Sequence, residues 1–531
     1  MAKADIILTG GRVVTGDGAA VAEAIAAADG RVLAVGADDE VRAAAPDAER
    51  AIDLAGRTVV PGLIDSHMHM LYTGWSLGDI DVYSVGSIDE LVERMSAAAG
   101  NRDFIAARSD CLHASHLAEG RLPNAADLDR VSSEKPVAVT DVNKTIVNSV
   151  ILNDVDCSEI PPGGEIGRND DGSPNGVFLY AAKGMTPLGA QSAASGSKMS
   201  ATDALLKCQE ALLASGLTGV VDASVGSDNL KAFAQLRRDG RLKIRVRALL
   251  RAARYDSVAP ILKDIEEFGG GDDVLRIAGV KLFYDWFLMH RTALFYEPYV
   301  GQPENTGRRS IPHEELTRWL RDCAKAGLAT GTHTTGTKGL DEMLETHERI
   351  ADEVGLTSPS HLIHAYFPGE RAIERAKALG MGIALQPSFI RPWAETAVEF
   401  LGPERAAGFT PVRSCLDAGV VTGGGTDSPI THFNPFASAA AAASRLSAAG
   451  NILGEAERVT NAEALAIYTT GSAEITGESD SRGRLVPGAL ADMVVCSADP
   501  LSCEPDDIRR VRPLATIVGG EVVYSAPGAE I

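Results

Sequence analysis

The residues best suited to chemistry lie in Pro61-Gly62-Leu63-Ile64-Asp65-Ser66-His67-Met68-His69-Met70. On a strand, residues two apart point to the same face, so His67 and His69 converge from one short segment. Packing does not ask for two neighbouring inward imidazoles. Neutral imidazole is a common ligand for zinc, and two of them on a rigid strand form a pre-aligned half-site.

Further candidates stand where apolar runs end. Lys281 closes Arg276-Ile277-Ala278-Gly279-Val280-Lys281, where an inward lysine is costly unless paired or chemically altered. His333 lies in Gly331-Thr332-His333-Thr334, His364 in Leu362-Ile363-His364-Ala365, and Asp427 in Gly425-Thr426-Asp427-Ser428-Pro429. Singly, each has a structural explanation: a core histidine, a snorkelling lysine, a capping aspartate. Together, they put one candidate ligand at the end of each of five separate apolar runs.

Those runs define the elements that must position the candidates. The segments 58–69, 216–223, 243–250, 274–283, 328–334, 361–365, 381–386 and 420–425 read as strands. Helix-like stretches separate them, for example 311–326 and 369–379. Eight such repeats predict a closed (β/α)8 TIM barrel, an α/β fold whose site lies where strands pass into loops. The expected barrel covers residues 61–80 and 200–477, and 81–199 is expected to be a loop-rich insertion over its mouth. Short strands with Gly-Gly turns mark both ends of the chain, including a hairpin predicted at Gly10-Gly11. Residues 1–60 and 478–531 are therefore expected to share one β-sandwich, since half a sheet cannot cover its own apolar face.

A net charge of −22 over 531 residues argues against nucleic-acid and anionic-membrane partners and leaves a small molecule as the expected substrate. Neither a run of signal-peptide length at the start nor one of bilayer-spanning length is present. Seven scattered cysteines without a Cys-x-x-Cys favour reduced thiols and a cytoplasmic location. Homodimerisation is the expectation from base rates.

At this point the sequence resembles the amidohydrolase superfamily, and within it amidohydrolase family 3, the branch of N-substituted formamide deformylases. The resemblance runs over nearly the whole chain. It rests on the His67-containing segment, Val280-Lys281-Leu282-Phe283, Gln386-Pro387 and Thr426-Asp427-Ser428-Pro429, with Asn148-Ser149 and Gly163-Gly164 in support. It implies a barrel with one or two divalent metals, usually Zn²⁺. Carried over by position, His67, His69 and Asp427 would hold one metal and His333 and His364 a second, bridged by Lys281 if CO2 carboxylates it. With Lys281 unmodified, a single-metal site is the better reading.

The implied mechanism follows from charge. A bound zinc brings the pKa of its water down to about 7, giving hydroxide. Asp427 is the natural general base, with His333 and His364 also placed at the reacting centre. The expected reaction is hydrolysis of an amide, formamide or cyclic amide C–N bond. A decarboxylase or isomerase on the same fold, and a barrel that binds a small ligand without turnover, are the alternatives.

Two departures bear on substrate. Asn143 replaces the histidine usual before Asn-Ser, and Thr337 follows Gly336 where aspartate is usual. Asn143, Trp75 and His432 are the expected substrate contacts, with Trp286 and Phe287 as candidates for an apolar wall. His113 and His116 read as structural or surface residues, and His313 and His347 as solvated.

Overall fold

The computed structural model of the chain describes residues 4–16, 21–83, 85–109, 112–141, 144–161, 164–186, 199–356, 358–529 and 531. Eight parallel strands form one sheet in sequence order. They are β1 (Leu63–Met68), β2 (Leu217–Val225), β3 (Arg245–Arg251), β4 (Leu275–Phe283), β5 (Thr330–Thr334), β6 (His361–His364), β7 (Gly382–Leu385) and β8 (Thr422–Gly424). Helices pack outside and side chains fill the interior, so the strands are covered on both faces and read as near-continuous apolar runs. The helix His313–Lys325 shows how the outer ring is held. It buries Leu316, Trp319, Leu320 and Cys323 at helical spacing.

No ladder joins β8 to β1, yet the ring closes there. The Asp427 N–H donates to the His67 carbonyl at 2.7 Å, and the Ile64 N–H to the Tyr468 carbonyl at 2.6 Å. Gly425 permits this approach, since a Cβ on it would lie 2.8 Å from the His67 nitrogen. The (β/α)8 barrel expected from the strand count is thus the fold of the central part.

Both chain ends build two further sheets. One contains Ile6–Thr9, Ala24–Ala28, Arg31–Gly36 and Arg50–Asp53. The other contains Arg12–Val14, Val21–Ala22, Thr58–Pro61, Met493–Cys496, Pro513–Val518 and Glu521–Ser525. Ile6, Leu8, Val13, Ile25, Val59, Met493, Val495 and Ile517 are buried together in one core. Gly519-Gly520 makes the expected hairpin. Gly10-Gly11 does not: Ile6–Thr9 and Arg12–Val14 belong to different sheets, and the glycine pair carries the chain across the sandwich. A Cβ on Gly11 would sit 2.4 Å from Leu54, so it is the close crossing that requires glycine there.

The predicted single strand 58–69 is likewise two strands. Thr58–Pro61 pairs with Met493–Cys496 in the sandwich, and Leu63–Met68 pairs with β2 in the barrel. Gly62 is the pivot, with space so tight that a Cβ would lie 2.3 Å from the Thr218 hydroxyl.

Beneath the barrel, buried ion pairs tie the C-terminal segment to β3. Arg245 grips Asp492 at 2.6 and 2.7 Å. Arg247 grips Glu478 at 2.7 and 2.6 Å, and Arg482 reaches the same carboxylate at 3.1 Å.

Between Ile80 and Tyr180 the chain forms a six-stranded mixed sheet with its own core, including Val82, Ile88, Leu91, Met95, Leu128 and Val139. The loop-rich expectation for this stretch is corrected. Asn169 to Ser173 is only the turn of a hairpin between Gly164–Arg168 and Pro174–Tyr180. Turn residues dominated the composition and hid the strands flanking them. Pro162 and Gly163 lie outside the described residues. This layer meets loops at the C-terminal end of the barrel: His116 Nε2 lies 3.3 Å from Glu395 Oε2 beyond β7, and Tyr180 packs on His290 beyond β4.

Candidate metal centre

The site is built from strand ends. Asp65 and His67 are inward residues of β1, while His69 immediately precedes the helix Met70–Ser76. Lys281 lies near the end of β4, His333 on β5, His364 at the end of β6, and Asp427 just beyond β8. His364 and Asp427 take left-handed backbone angles, φ 76° and 54°. Such angles cost a non-glycine residue on the order of 1–3 kcal/mol and persist where surrounding contacts impose them. Here the neighbouring contacts are Ala365 N–H to the Thr334 carbonyl at 2.8 Å and Asp427 N–H to the His67 carbonyl at 2.7 Å.

His67 Nε2 and His69 Nε2 stand 3.2 and 3.0 Å from Asp427 Oδ1. One donor atom from each of the three residues lies within 4.8 Å of the others. The approach lacks the in-line geometry of a hydrogen bond, and Asp427 Oδ1 has no hydrogen-bond partner. Ligand atoms about 2.1 Å from a shared tetrahedral ion lie about 3.4 Å apart, so the three donors are spaced as a metal requires. His364 Nε2 is 4.0 Å from Asp427 Oδ2. The His333 and His364 rings are 4.2 Å apart, and His364 is 5.0 Å from His67. These two histidines adjoin the triad without joining its compact donor set, and His333 Nε2 faces the Trp286 carbonyl at 3.4 Å.

The charge states suit ligation. Burial, then the nearby lysine, pushes His67 down to about 3, so the imidazole is neutral. Burial likewise drives His333 and His364 well below the usual histidine range. Burial alone would raise Asp427, but the histidines around it hold the carboxylate well below its ordinary value. Lys281 Nζ is buried with no hydrogen-bond partner, 4.8 Å from the centroid of the Phe283 ring, and burial pulls it down to about 7. An amine that is partly neutral near pH 7 is a nucleophile, as carboxylation by CO2 requires. The donors present fit a divalent cation.

A second ring of groups fixes these ligands, and sequence reasoning did not find it. Thr426 Oγ1 donates to Asp65 Oδ2 at 2.6 Å, while Asp65 Oδ1 accepts the His67 N–H at 2.9 Å. His364 Nδ1 lies 2.7 Å from Gln386 Oε1 and 2.6 Å from the Tyr366 hydroxyl. A proton on Nδ1 toward the amide oxygen leaves the Nε2 lone pair facing Asp427. Asp65 had a readable signal, since it stands two residues before His67 on the same strand face. Tyr366 stands two residues after His364, whereas His361 had no such signal. His361 is buried beneath the site with neither ring nitrogen partnered, and burial holds it near 3.

The expected substrate contacts fare unevenly. Asn143 lies outside the described residues. Trp75 donates Nε1–H to the Met199 carbonyl at 3.2 Å, and it is Tyr72 that stands edge-on to His69, at 6.1 Å. His432 is exposed at the rim, stacked on Phe433 at 4.4 Å. Phe283 and Phe287 lie 5.1 and 5.2 Å from His333, and with Trp286 they make an apolar wall. A cavity of about 400 Å³ opens beside Trp286, between the inserted layer and the loop after β4. A larger groove, about 1310 Å³, lies around Phe367 and Arg371 and shares no residue with the histidine cluster.

His113 and His116 face Glu399 and Glu395 at 3.7 and 3.3 Å, contacts between the inserted layer and the helix Ile390–Leu401. The solvated reading of His313 and His347 is corrected. His313 is half-buried, with Nδ1 2.8 Å from the Tyr284 hydroxyl. His347 is buried on the helix Thr337–Val354 and contacts the Met343 carbonyl at 3.1 Å. Leu340, Met343, Leu344, His347 and Ile350 share one helical face, a pattern that polar neighbours masked.

Residues 50–524 match the family described as "Amidohydrolase family". The N-substituted formamide deformylase of Arthrobacter pascens is 28% identical, over 96% of this chain and 96% of its own. The putative amidohydrolase YtcJ of Bacillus subtilis strain 168 is 27% identical, over 94% and 96%. Among solved structures, an uncharacterized metal-dependent hydrolase from Pyrococcus horikoshii OT3 superposes with a TM-score of 0.73. It is 26% identical, and the match covers 94% of this chain and 99% of that one.

Proposed function

We propose a reaction from one premise: the chain belongs to the amidohydrolase family, matched over residues 50–524, and so is a metal-dependent hydrolase. The reaction is hydrolysis of a C–N bond in a small molecule: an amide, an N-substituted formamide or a cyclic amide. The observation that carries this reading is the convergence of His67, His69 and Asp427 donor atoms within 4.8 Å. The deformylase name of one relative supports the bond type.

In this reading His67, His69 and Asp427 hold a zinc ion, and His333 and His364 hold a second if Lys281 is carboxylated. Zinc bound there supplies a Lewis acid for the substrate carbonyl and acidifies water to near neutrality. Asp427 accepts the proton of the attacking water and returns it to the departing nitrogen. Its neighbouring histidines favour the ionised form needed for the first transfer. Phe283, Trp286 and Phe287 exclude bulk water from one side. Trp75 and His432 contact substrate from the rim, and Asn143 is proposed as a third contact. The scattered thiols suit a cytoplasmic protein; among the described residues six cysteines are free, and no helix is long and apolar enough to cross a membrane.

The test is metal content of the purified protein, run beside a panel of N-formyl, N-acyl and cyclic amides. About two zinc per chain and chelator-sensitive amine release are expected for the bridged site. About one metal with turnover keeps the hydrolase and removes the bridge. No metal after reconstitution overturns the reading.

A further inference from the structure

Beside the metal centre stands a cation without an acid. Arg251, the last residue of β3, lies in register with Lys281 on β4 and therefore faces the same interior. Its guanidinium carbon sits 5.1 Å from the centroid of Phe283, whose ring stacks on His333 at 5.1 Å. One aromatic ring thus neighbours both the arginine and a candidate metal ligand.

The Arg251 Nε atom is buried without a partner. Its nearest hydrogen-bond acceptor is the Ser224 hydroxyl, at a long 3.5 Å from Nη1. Among the described residues no carboxylate forms an ion pair with it, in a protein of net charge −22. More deeply buried arginines have acceptors of their own: Arg245 has Asp492, Arg247 has Glu478, and Arg445 has three backbone carbonyls. Arg254 adds a second positive charge on the same flank. It donates to the Tyr72 hydroxyl at 3.0 Å, and Tyr72 stands edge-on to His69. A partly desolvated guanidinium is costly unless an anion completes it, and its planar fork suits a carboxylate.

We propose that Arg251, with the field of Arg254 behind it, binds a carboxylate of the substrate. The substrate is then an amide or formamide that also carries a carboxylate, held so that its C–N bond reaches the histidine cluster past Phe283. The proposal rests on the hydrolase reading above and narrows its substrate class. Arg251 is a specificity residue here and takes no part in bond cleavage.

The test compares N-formylphenylalanine with N-formylphenylalaninamide, which differ in that one charge. The holoenzyme is expected to prefer the acid. R251Q is expected to lower the acid-to-amide ratio of kcat/KM about 10- to 100-fold, through KM, as loss of a charged hydrogen-bonded pair would. R251K is expected to recover part of the ratio, with metal content unchanged in both variants. Equal losses on acid and amide, or loss of metal from R251Q, would overturn the proposal and leave the arginine a structural cation of the barrel interior. A second arm needs no turnover: calorimetry of phenylacetate against 2-phenylethanol. Phenylacetate should bind the wild type and weaken in R251Q; equal binding to both would put the anion on the metal and sink the idea. If nothing in the amide panel is hydrolysed, the hydrolase reading fails while this arm still judges the anion site.

Discussion

At the scale of single residues, the site depends on groups whose ordinary charge behaviour has been altered by burial. His67 and His364 stay neutral and Asp427 stays ionised, so these three side chains present two lone pairs and one negative charge at neutral pH. Asp427→Asn keeps an oxygen for a metal but removes the proton acceptor. Its kcat is expected to fall by about 10²- to 10⁴-fold while some metal is retained, read by turnover beside metal analysis. Unchanged turnover would remove Asp427 from the base role. The ligating types were legible because strand ends are where a barrel gathers chemistry. The groups that orient them were less so. Gln386 meets His364 only after β6 and β7 have come together, and no local spacing announces that contact.

At the scale of elements, loops after neighbouring strands are fastened to one another by buried side chains. Asp285, just past β4, accepts the Thr335 N–H at 2.8 Å and the Leu294 and Gly336 N–H groups at 2.9 Å. This one carboxyl group holds the turn after His333 against the loop that carries Trp286 and Phe287. Asp285→Asn puts an amide N–H toward backbone N–H groups and leaves at least one of them without an acceptor. A loss of about 1–3 kcal/mol in unfolding free energy is expected by denaturant titration, since a buried donor is orphaned. A shift under a few tenths would show the loops to be fixed by other contacts. Strand number and order were legible from apolar runs and their spacing. Strand membership at the two glycine crossings was not. Gly10-Gly11 has a hairpin's composition, and Gly62 interrupts what reads as one strand, because tertiary crowding decides both.

At the scale of the whole molecule, the sandwich and the barrel share a floor of charge. Glu478 lies between Arg247 and Arg482; burial alone would raise it, but the two guanidinium groups bring it down to about 2. An unfolded glutamate titrates near 4.3. A depressed folded value means that this stabilisation is full above that pH and fades as pH falls toward about 2. Glu478→Gln is expected to cost about 3–5 kcal/mol at pH 7 by leaving two buried cations unpaired. The difference from the wild type should shrink below about pH 4, measured by urea unfolding across pH. A pH-independent difference would assign the loss to packing.

The strand Thr58–Pro61, which leads through Gly62 into the first histidine strand, has Arg12–Val14 on one side and Met493–Cys496 on the other. During synthesis the ribosome releases the first histidines long before the segment that completes their support. The nascent barrel therefore waits for its opening strand to be locked by a strand that emerges after all eight of its own, a non-local pairing of the kind that folds slowly. A message cut short before that segment yields a chain with every proposed ligand but no finished seat for two of them.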